Sequence, residues 1–232
     1  MDHHSKLLED IRNGYVPAPH ELAIFIDHTL LKPDTTEKDI IKACEECKRY
    51  NFASLCIPPC YVTLAMNLLK NSKTNVITVI GFPNGYTLSE VKKTESIILK
   101  NAGAIELDMV VNIAMIKNKN YEYIKNEITL VKSIGTTLKI IVETCYLDNE
   151  EKKELCNILL ENNIDYIKTS TGFGSKGAEI NDIKLFRGIL GDKVKIKASG
   201  GIRDYNTTLA MLRAGASRIG ASASVKIVDG KL

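Results

Sequence analysis

The sequence predicts an α/β fold, a single (β/α)8 TIM barrel with an extra N-terminal helix, and three observations carry that prediction. Short apolar runs alternate with longer amphipathic segments eight times from residue 22 onward. No Pro/Gly-rich linker divides them, so the repeats belong to one closed unit over 1–232. Polar residues recur inside the apolar runs about one, two and three βα units apart, which a barrel gathers at one mouth and an open sheet spreads out. The length of 232 residues fits the roughly 200–250 of one barrel. An open doubly wound sheet is the alternative architecture.

Residues 1–20 form a lead-in, within which 5–13 read as a helix capping the barrel bottom. The first strand, 23–27, ends in Asp27, and the Asp-Thr-Thr-Glu signal at 34–37 starts a helix over 36–50. Strand 54–57 leads to helix 61–71. Strand 76–81 leads to helix 89–101, which begins at Ser89 and stops before Gly103. Strand 104–111 precedes helix 121–134, closed by Gly135, and the Asp-Asn-Glu-Glu signal at 148–151 separates the run 139–144 from helix 150–162. Strands 166–169 and 194–199 precede helices 180–190 and 207–214, which Gly191 and Gly215 end. Strand 218–221 leaves a short last helix within 225–232.

Bulk properties exclude several functions. Lys plus Arg number 31 against 28 Asp plus Glu, too weak a bias for a nucleic-acid or membrane partner. No apolar run approaches the ~20 residues of a membrane span, and the polar N-terminus does not resemble a signal peptide, so a cytoplasmic setting is expected. Cys44, Cys47, Cys56 and Cys60 have the look of a metal cluster. However, Cys44 and Cys47 fall within a helical pattern and Cys56 within an apolar run, so reduced thiols and no metal are expected. The four histidines (3, 4, 20 and 28) all lie near the N-terminus, which disfavours a histidine-centred triad.

The chemistry lies in charged residues within strands. Lys168 interrupts the β-branched run Asp-Tyr-Ile-Lys-Thr-Ser-Thr-Gly (165–172), and Lys197 interrupts Val-Lys-Ile-Lys-Ala-Ser-Gly-Gly-Ile-Arg (194–203) one unit later. Side chains alternate along a strand, so Tyr166, Lys168 and Ser170 share one face, as do Lys195, Lys197 and Ser199. The opposite faces are apolar enough to lie under helices, which turns the lysines inward. Two ammonium groups on adjacent strands repel, and burial adds to the effect, so one becomes a neutral amine able to attack a carbonyl. Asp108, on strand 4, places a carboxylate for proton transfer in the same mouth, and Asp27 adds another on strand 1. The competing reading puts each lysine at a solvated strand end beside a carboxylate. Lys195 also turns inward by parity, and a deeper structural pair with Glu106 is expected for it.

A second constellation binds anions. Ser-Gly-Gly-Ile-Arg (199–203) follows strand 7, and Gly-Ala-Ser-Ala-Ser (220–224) follows strand 8 and opens the last helix. Glycines let backbone N–H groups converge on an anion, and barrels often hold phosphate there. Two tight turns with nothing bound are the alternative.

The motifs together resemble the deoxyribose-phosphate aldolase family of class I aldolases. They are Ile-Asp-His-Thr-Leu-Leu-Lys-Pro (26–33), Leu-Cys-Ile-Pro-Pro (55–59), Val-Ile-Gly-Phe-Pro-Asn-Gly (79–85) and Glu-Leu-Asp-Met-Val-Val-Asn (106–112). They continue through Ile-Val-Glu-Thr-Cys-Tyr-Leu (141–147), Tyr-Ile-Lys-Thr-Ser-Thr-Gly-Phe (166–173), Lys-Ala-Ser-Gly-Gly-Ile-Arg (197–203) and Arg-Ile-Gly-Ala-Ser (218–222). The resemblance implies a Schiff base of acetaldehyde on Lys168, whose enamine adds reversibly to D-glyceraldehyde 3-phosphate. It implies proton transfer at Asp108, tuning of the nucleophile by Lys197, and a supporting network through Asp27. Cys56, Thr169 and Thr171 resemble residues near the substrate, and Gly172, Gly200, Gly201, Gly220 and Ser222 resemble phosphate contacts. It further implies no metal or organic cofactor, small sugar-phosphate and aldehyde partners, and a homodimer. Some members carry a tail tyrosine that reaches the site; the residues Lys231 and Leu232 at the end of this sequence supply none. Transaldolase-like and bisphosphate aldolase-like barrels carry the lysine on another strand, and a catalytically dead sugar-phosphate-binding barrel is the remaining rival.

Overall fold

A computed structural model describes residues 3–230. Met1 and Asp2, the start of the lead-in, and Lys231 and Leu232, the end without a tyrosine, lie outside the described residues. Eight parallel strands close into a barrel in chain order: β1 (Ile26–Thr29), β2 (Ser54–Ile57), β3 (Asn75–Ile80), β4 (Glu106–Val110), β5 (Thr137–Ile141), β6 (Tyr166–Lys168), β7 (Lys195–Ser199) and β8 (Arg218–Ala221). The helices are α1 (His3–Arg12), α2 (Glu37–Tyr50), α3 (Val62–Leu68), α4 (Ser89–Asn101), α5 (Ile113–Lys117), α6 (Tyr121–Lys132), α7 (Asn149–Glu161), α8 (Ile180–Leu190), α9 (Tyr205–Ala214) and α10 (Ser224–Val228). The open-sheet alternative is excluded, because β8 pairs with β1 through Asp27 opposite Gly220. Among the described residues no helix is long and apolar enough to cross a membrane.

Local chemistry sets the helix ends. Thr36 caps α2: its hydroxyl accepts the Asp39 N–H, and the Asp39 carboxylate accepts the Thr36 N–H at 2.8 Å. Asp148 and Glu151 repeat the device on α7, and Asp204 caps α9. The first strand starts later than predicted. Pro19 sets the backbone angle for a 3-10 turn over Pro19–Phe25, so Leu22, Ala23 and Phe25 enter the core from that turn. α5 was not evident in the sequence; the Asn112 side chain accepts the Met115 N–H at 3.3 Å and starts it. At the lower end, where the strands begin, the Arg12 guanidinium ties α1 to the chain entering β8 by donating to the Gly215 and Ala216 carbonyls at 3.0 and 3.2 Å.

Strand parity divides the core in two. Outward residues such as Ile26, Leu55, Leu107, Ile140, Ile167, Ile196 and Ile219 are fully buried under the helix ring. The inward face is mixed. Cys56, Ile77 and Val79 make an apolar wall on one side of the barrel, whereas β1 and β4 through β8 point charged side chains inward.

One ion pair outside the barrel supports the strand that carries Asp108. Lys92 on α4 meets Glu127 on α6 at 2.6 Å, and both are fully buried. Lys92 Nζ also donates to the Val110 carbonyl at 2.8 Å, while Glu127 accepts the Asn112 N–H at 3.1 Å. The pair thereby holds both sides of the turn that leaves β4. Removing one partner strands a buried charge, which typically costs about 3–5 kcal/mol. Lys92→Ala is therefore expected to lower unfolding free energy by about that amount, measured by urea denaturation. The double variant Lys92→Met/Glu127→Leu is expected to lose less than Lys92→Ala, since it removes both charges and keeps the volume.

Candidate active site

Strand register assembles the site. Lys168 lies directly opposite Lys197, and Asp108 directly opposite Lys139. Asp108, fully buried, collects three amines: Oδ1 accepts from Lys139 at 2.9 Å, and Oδ2 accepts from Lys168 and Lys197, each at 2.8 Å. Lys197 also meets Asp27 at 2.5 Å. The other Asp27 oxygen accepts from Ser54 Oγ at 2.6 Å and from Arg218 at 3.0 Å. Lys139 continues downward to Glu106, which it contacts as a close ion pair. Asp27, Asp108, Lys168 and Lys197, predicted on strands 1, 4, 6 and 7, thus form one connected cluster.

Burial and charge balance move the amines in opposite directions. Among the described residues the interior cluster holds three carboxylates (Asp27, Glu106, Asp108) and four basic groups (Lys139, Lys168, Lys197, Arg218). Buried surroundings penalise any unbalanced charge, which pushes the least compensated base toward its neutral form. Burial is the largest influence on Lys168 and lowers its pKa; repulsion from Lys197 adds to this, and the attraction of Asp108 does not compensate. Burial also opposes the charge on Lys197, but Asp108 and Asp27 together outweigh it and hold that ammonium above its ordinary range. Lys139 behaves likewise, with Asp108 and Glu106 raising it. Burial pushes the Asp108 carboxyl up, but the attraction of the lysines around it, Lys139 first, outweighs that, and the carboxyl stays well below the usual carboxylate range.

The Lys168 side chain reaches the floor of a cavity of about 720 Å³. Thr171, Gly172 and Phe173 wall it on one side, residues 199–203 and 220–222 on another, and residues 29–32 on a third. The predicted anion loops therefore face the same cavity as the amine. Lys32 and Arg203 bring positive charge to the rim, beside Asp34 and Asp39. α10 spans only five residues, so an anion here would rely on backbone N–H groups rather than on a helix dipole. Gly220 has a second use. A Cβ there would stand 3.0 Å from Lys197 Cε and 2.9 Å from Ser199 Cβ, so its bare backbone makes room for Lys197.

Lys168, Thr171, Gly172, Gly200, Gly201, Gly220 and Ser222 line the cavity, whereas Asp27, Asp108 and Lys197 lie in the packed layer beneath it. Thr169 faces neither. Its hydroxyl donates to the Ser199 carbonyl and accepts the Ser199 N–H, both at 3.0 Å, stitching β6 to β7. Cys56 is fully buried in the apolar wall, and burial pushes its thiol pKa up, which fits packing. The expected Lys195–Glu106 pair does not form. Parity does bring Lys195 to the inner face, 5.5 Å from the Tyr166 ring centroid, but at the first residue of β7, where it is exposed. Glu106 pairs instead with Lys139, a residue missed because it opened the predicted run 139–144; β5 begins two residues earlier and carries Lys139 into the interior. Arg218 and Glu143, described below, were also not anticipated.

The chain is similar to known proteins in sequence and fold. Residues 22–228 match the model of the family described as DeoC/LacD family aldolase. The deoxyribose-phosphate aldolase of Caldanaerobacter subterraneus subsp. tengcongensis is 51% identical over 213 residues, covering 90% of this chain and 92% of that protein. That of Thermococcus kodakarensis is 48% identical over 216 residues, covering 90% of this chain and 96% of that protein. Among solved structures, a tetrameric deoxyribose phosphate aldolase from Aeropyrum pernix superposes with a TM-score of 0.85 at 30% identity, covering 97% of each chain. An aldolase named QR15 superposes at 0.87 with 36% identity, covering 90% of this chain and 95% of that one. With its barrel, its buried lysine pair and these matches, the chain belongs to the DeoC/LacD family of aldolases.

Proposed function

We propose that the protein is a class I deoxyribose-phosphate aldolase, reversibly cleaving 2-deoxy-D-ribose 5-phosphate to acetaldehyde and D-glyceraldehyde 3-phosphate. The observation that carries this reading is a buried amine, Lys168, on the floor of a cavity whose walls bear two glycine-rich anion loops. An amine with a lowered pKa attacks the aldehyde carbon of the open-chain sugar and forms a carbinolamine. Loss of water leaves a protonated imine. Deprotonation of the C3 hydroxyl then breaks the C2–C3 bond, whose electron pair passes into the enamine as glyceraldehyde 3-phosphate departs. Protonation of the enamine carbon and hydrolysis release acetaldehyde and restore Lys168.

Each interior group has a role in this sequence. Lys197, an ammonium held charged by Asp27 and Asp108, keeps its neighbour neutral and is the nearest proton reserve. Asp108 touches both lysines through one oxygen and stays ionised, so it relays protons between them rather than storing one. Asp27 anchors Lys197 from the far side. Gly172, Gly200, Gly201, Gly220 and Ser222 hold the phosphate end of the sugar, with Thr171 beside it in the substrate shell. The reading treats 1–232 as a single aldolase domain, and carries two more expectations, a cytoplasmic setting and a homodimer.

Incubation with acetaldehyde and borohydride followed by peptide mass mapping is expected to label Lys168; label on another lysine, or none, overturns the assignment. Lys197→Leu is expected to remove the repulsion that depresses Lys168 and so raise its pKa. Activity requires the neutral amine, so the ascending limb of the kcat/KM pH profile should move to higher pH. The rate near neutrality should fall by about 10²–10⁴-fold, the range of a lost acid–base contribution. An unmoved limb would show that Lys197 does not tune the nucleophile.

A further inference from the structure

Glu143 is buried, 2% exposed, at the point where the chain leaves β5. Its backbone is left-handed, with φ 51°, although it is not glycine. That conformation is unfavourable for a residue with a Cβ and persists where surrounding contacts enforce it. The contacts on either side are strand-like: the Val142 N–H donates to the Lys168 carbonyl at 3.0 Å and the Thr144 N–H to the Thr169 carbonyl at 2.9 Å.

The Glu143 carboxylate makes no ion pair with any cation among the described residues. Its partners are all on Thr171: the N–H approaches the two oxygens at 3.2 and 3.1 Å, and the hydroxyl donates to Oε2. Thr171 Oγ1 in turn accepts the Phe173 N–H at 3.0 Å. Further along the same loop, a Cβ on Gly174 would stand 3.1 Å from the Glu143 carboxyl carbon. The β6–α8 loop is therefore folded over this carboxylate.

The same loop supports the anion pocket. At Gly177 a Cβ would come within 2.1 Å of the Gly200 carbonyl oxygen, which also accepts the Ala178 N–H at 3.0 Å. Gly200 itself has φ 87° and lines the cavity with Thr171, Gly172 and Gly201. A shift of the β6–α8 loop would thus reach the pocket directly at Thr171 and Gly172, and through Gly177 at Gly200.

We infer that Glu143 is a positioning residue whose carboxylate fixes the β6–α8 loop and thereby sets the affinity of the pocket for the phosphate end of the substrate, apart from imine formation at Lys168. Burial raises the pKa of Glu143, and the Thr171 bonds and the attraction of Lys168 oppose this without cancelling it. The inference rests on the aldolase reading for the substrate, but binding of inorganic phosphate tests it without turnover.

The test compares Glu143→Ala, Glu143→Asp and Glu143→Gln by KM for 2-deoxyribose 5-phosphate, by calorimetric binding of inorganic phosphate, and by acetaldehyde–borohydride labelling of Lys168. Glu143→Ala and the one-methylene-shorter Glu143→Asp are expected to raise KM and weaken phosphate binding about tenfold, a loss in the range for a charged hydrogen bond. Labelling should stay within about twofold of the unaltered protein, because the Lys168 strand is left in place. Glu143→Gln keeps an oxygen that can accept from Thr171 and is expected to recover most of the affinity. Should Glu143→Ala not fold, Glu143→Asp and Glu143→Gln make the same comparison. Unchanged phosphate binding in Glu143→Asp, or a Gln variant as weak as the Asp variant, overturns the inference. So does a loss confined to Lys168 labelling. Failure of the unaltered protein to label Lys168 would refute the aldolase reading, while phosphate binding by the variants would still decide the role of Glu143.

Discussion

The Asp108 carboxylate sits at the centre of the barrel and accepts from Lys139 on one oxygen and from Lys168 and Lys197 on the other. Buried ammonium groups this close repel one another; the shared carboxylate lets the three lysines approach. Most barrels fill this volume with branched apolar side chains. Here an ionic lattice replaces them along six strands, and its cohesion depends on the sign and number of its charges. The carboxylates are outnumbered by the bases by one, and that excess falls on the amine at the floor of the cavity.

Depth in the barrel separates the groups by function. Glu106 and Arg218 occupy a lower level, Asp27, Asp108, Lys139 and Lys197 form a fully buried middle layer, and Lys168 is the member that reaches the cavity. On the proposed mechanism the buried layer adjusts protonation, and substrate meets only Lys168 and the loops. The loops are positioned from the side: Glu143 holds one, Gly220 leaves room beneath another, and the Lys92–Glu127 pair supports the exit of β4. Packing outside the barrel thus reaches the chemistry through backbone carbonyls and N–H groups.

Much of the fold and of the site was legible in the chain. Period-two alternation marked the strands, capping residues such as Thr36 and Asp148 marked helix starts, and lysines inside β-branched runs marked Lys168 and Lys197, which meet at Asp108. What was not legible depended on where each strand begins. Lys195 and Lys139 are both inward-facing strand lysines. A difference in depth makes one a solvated rim residue and the other the partner of Glu106 and Asp108. Thr169 lies beside Lys168 in the chain, yet parity turns its hydroxyl onto Ser199 instead of into the cavity.

By itself the sequence determined the repeat, the barrel class and which strands bear charge, because alternation and capping are local and survive in one dimension. Tertiary structure alone decided which charges touch. Asp108 meets two lysines that lie one and two strands beyond β5 because the barrel closes and its inward side chains share a narrow interior. It also decided that Glu143, an unremarked acid at a strand end, would be turned by a left-handed backbone onto Thr171. Electrostatic contacts fall off within a few ångströms, and that scale is set by closure and register rather than by order along the chain.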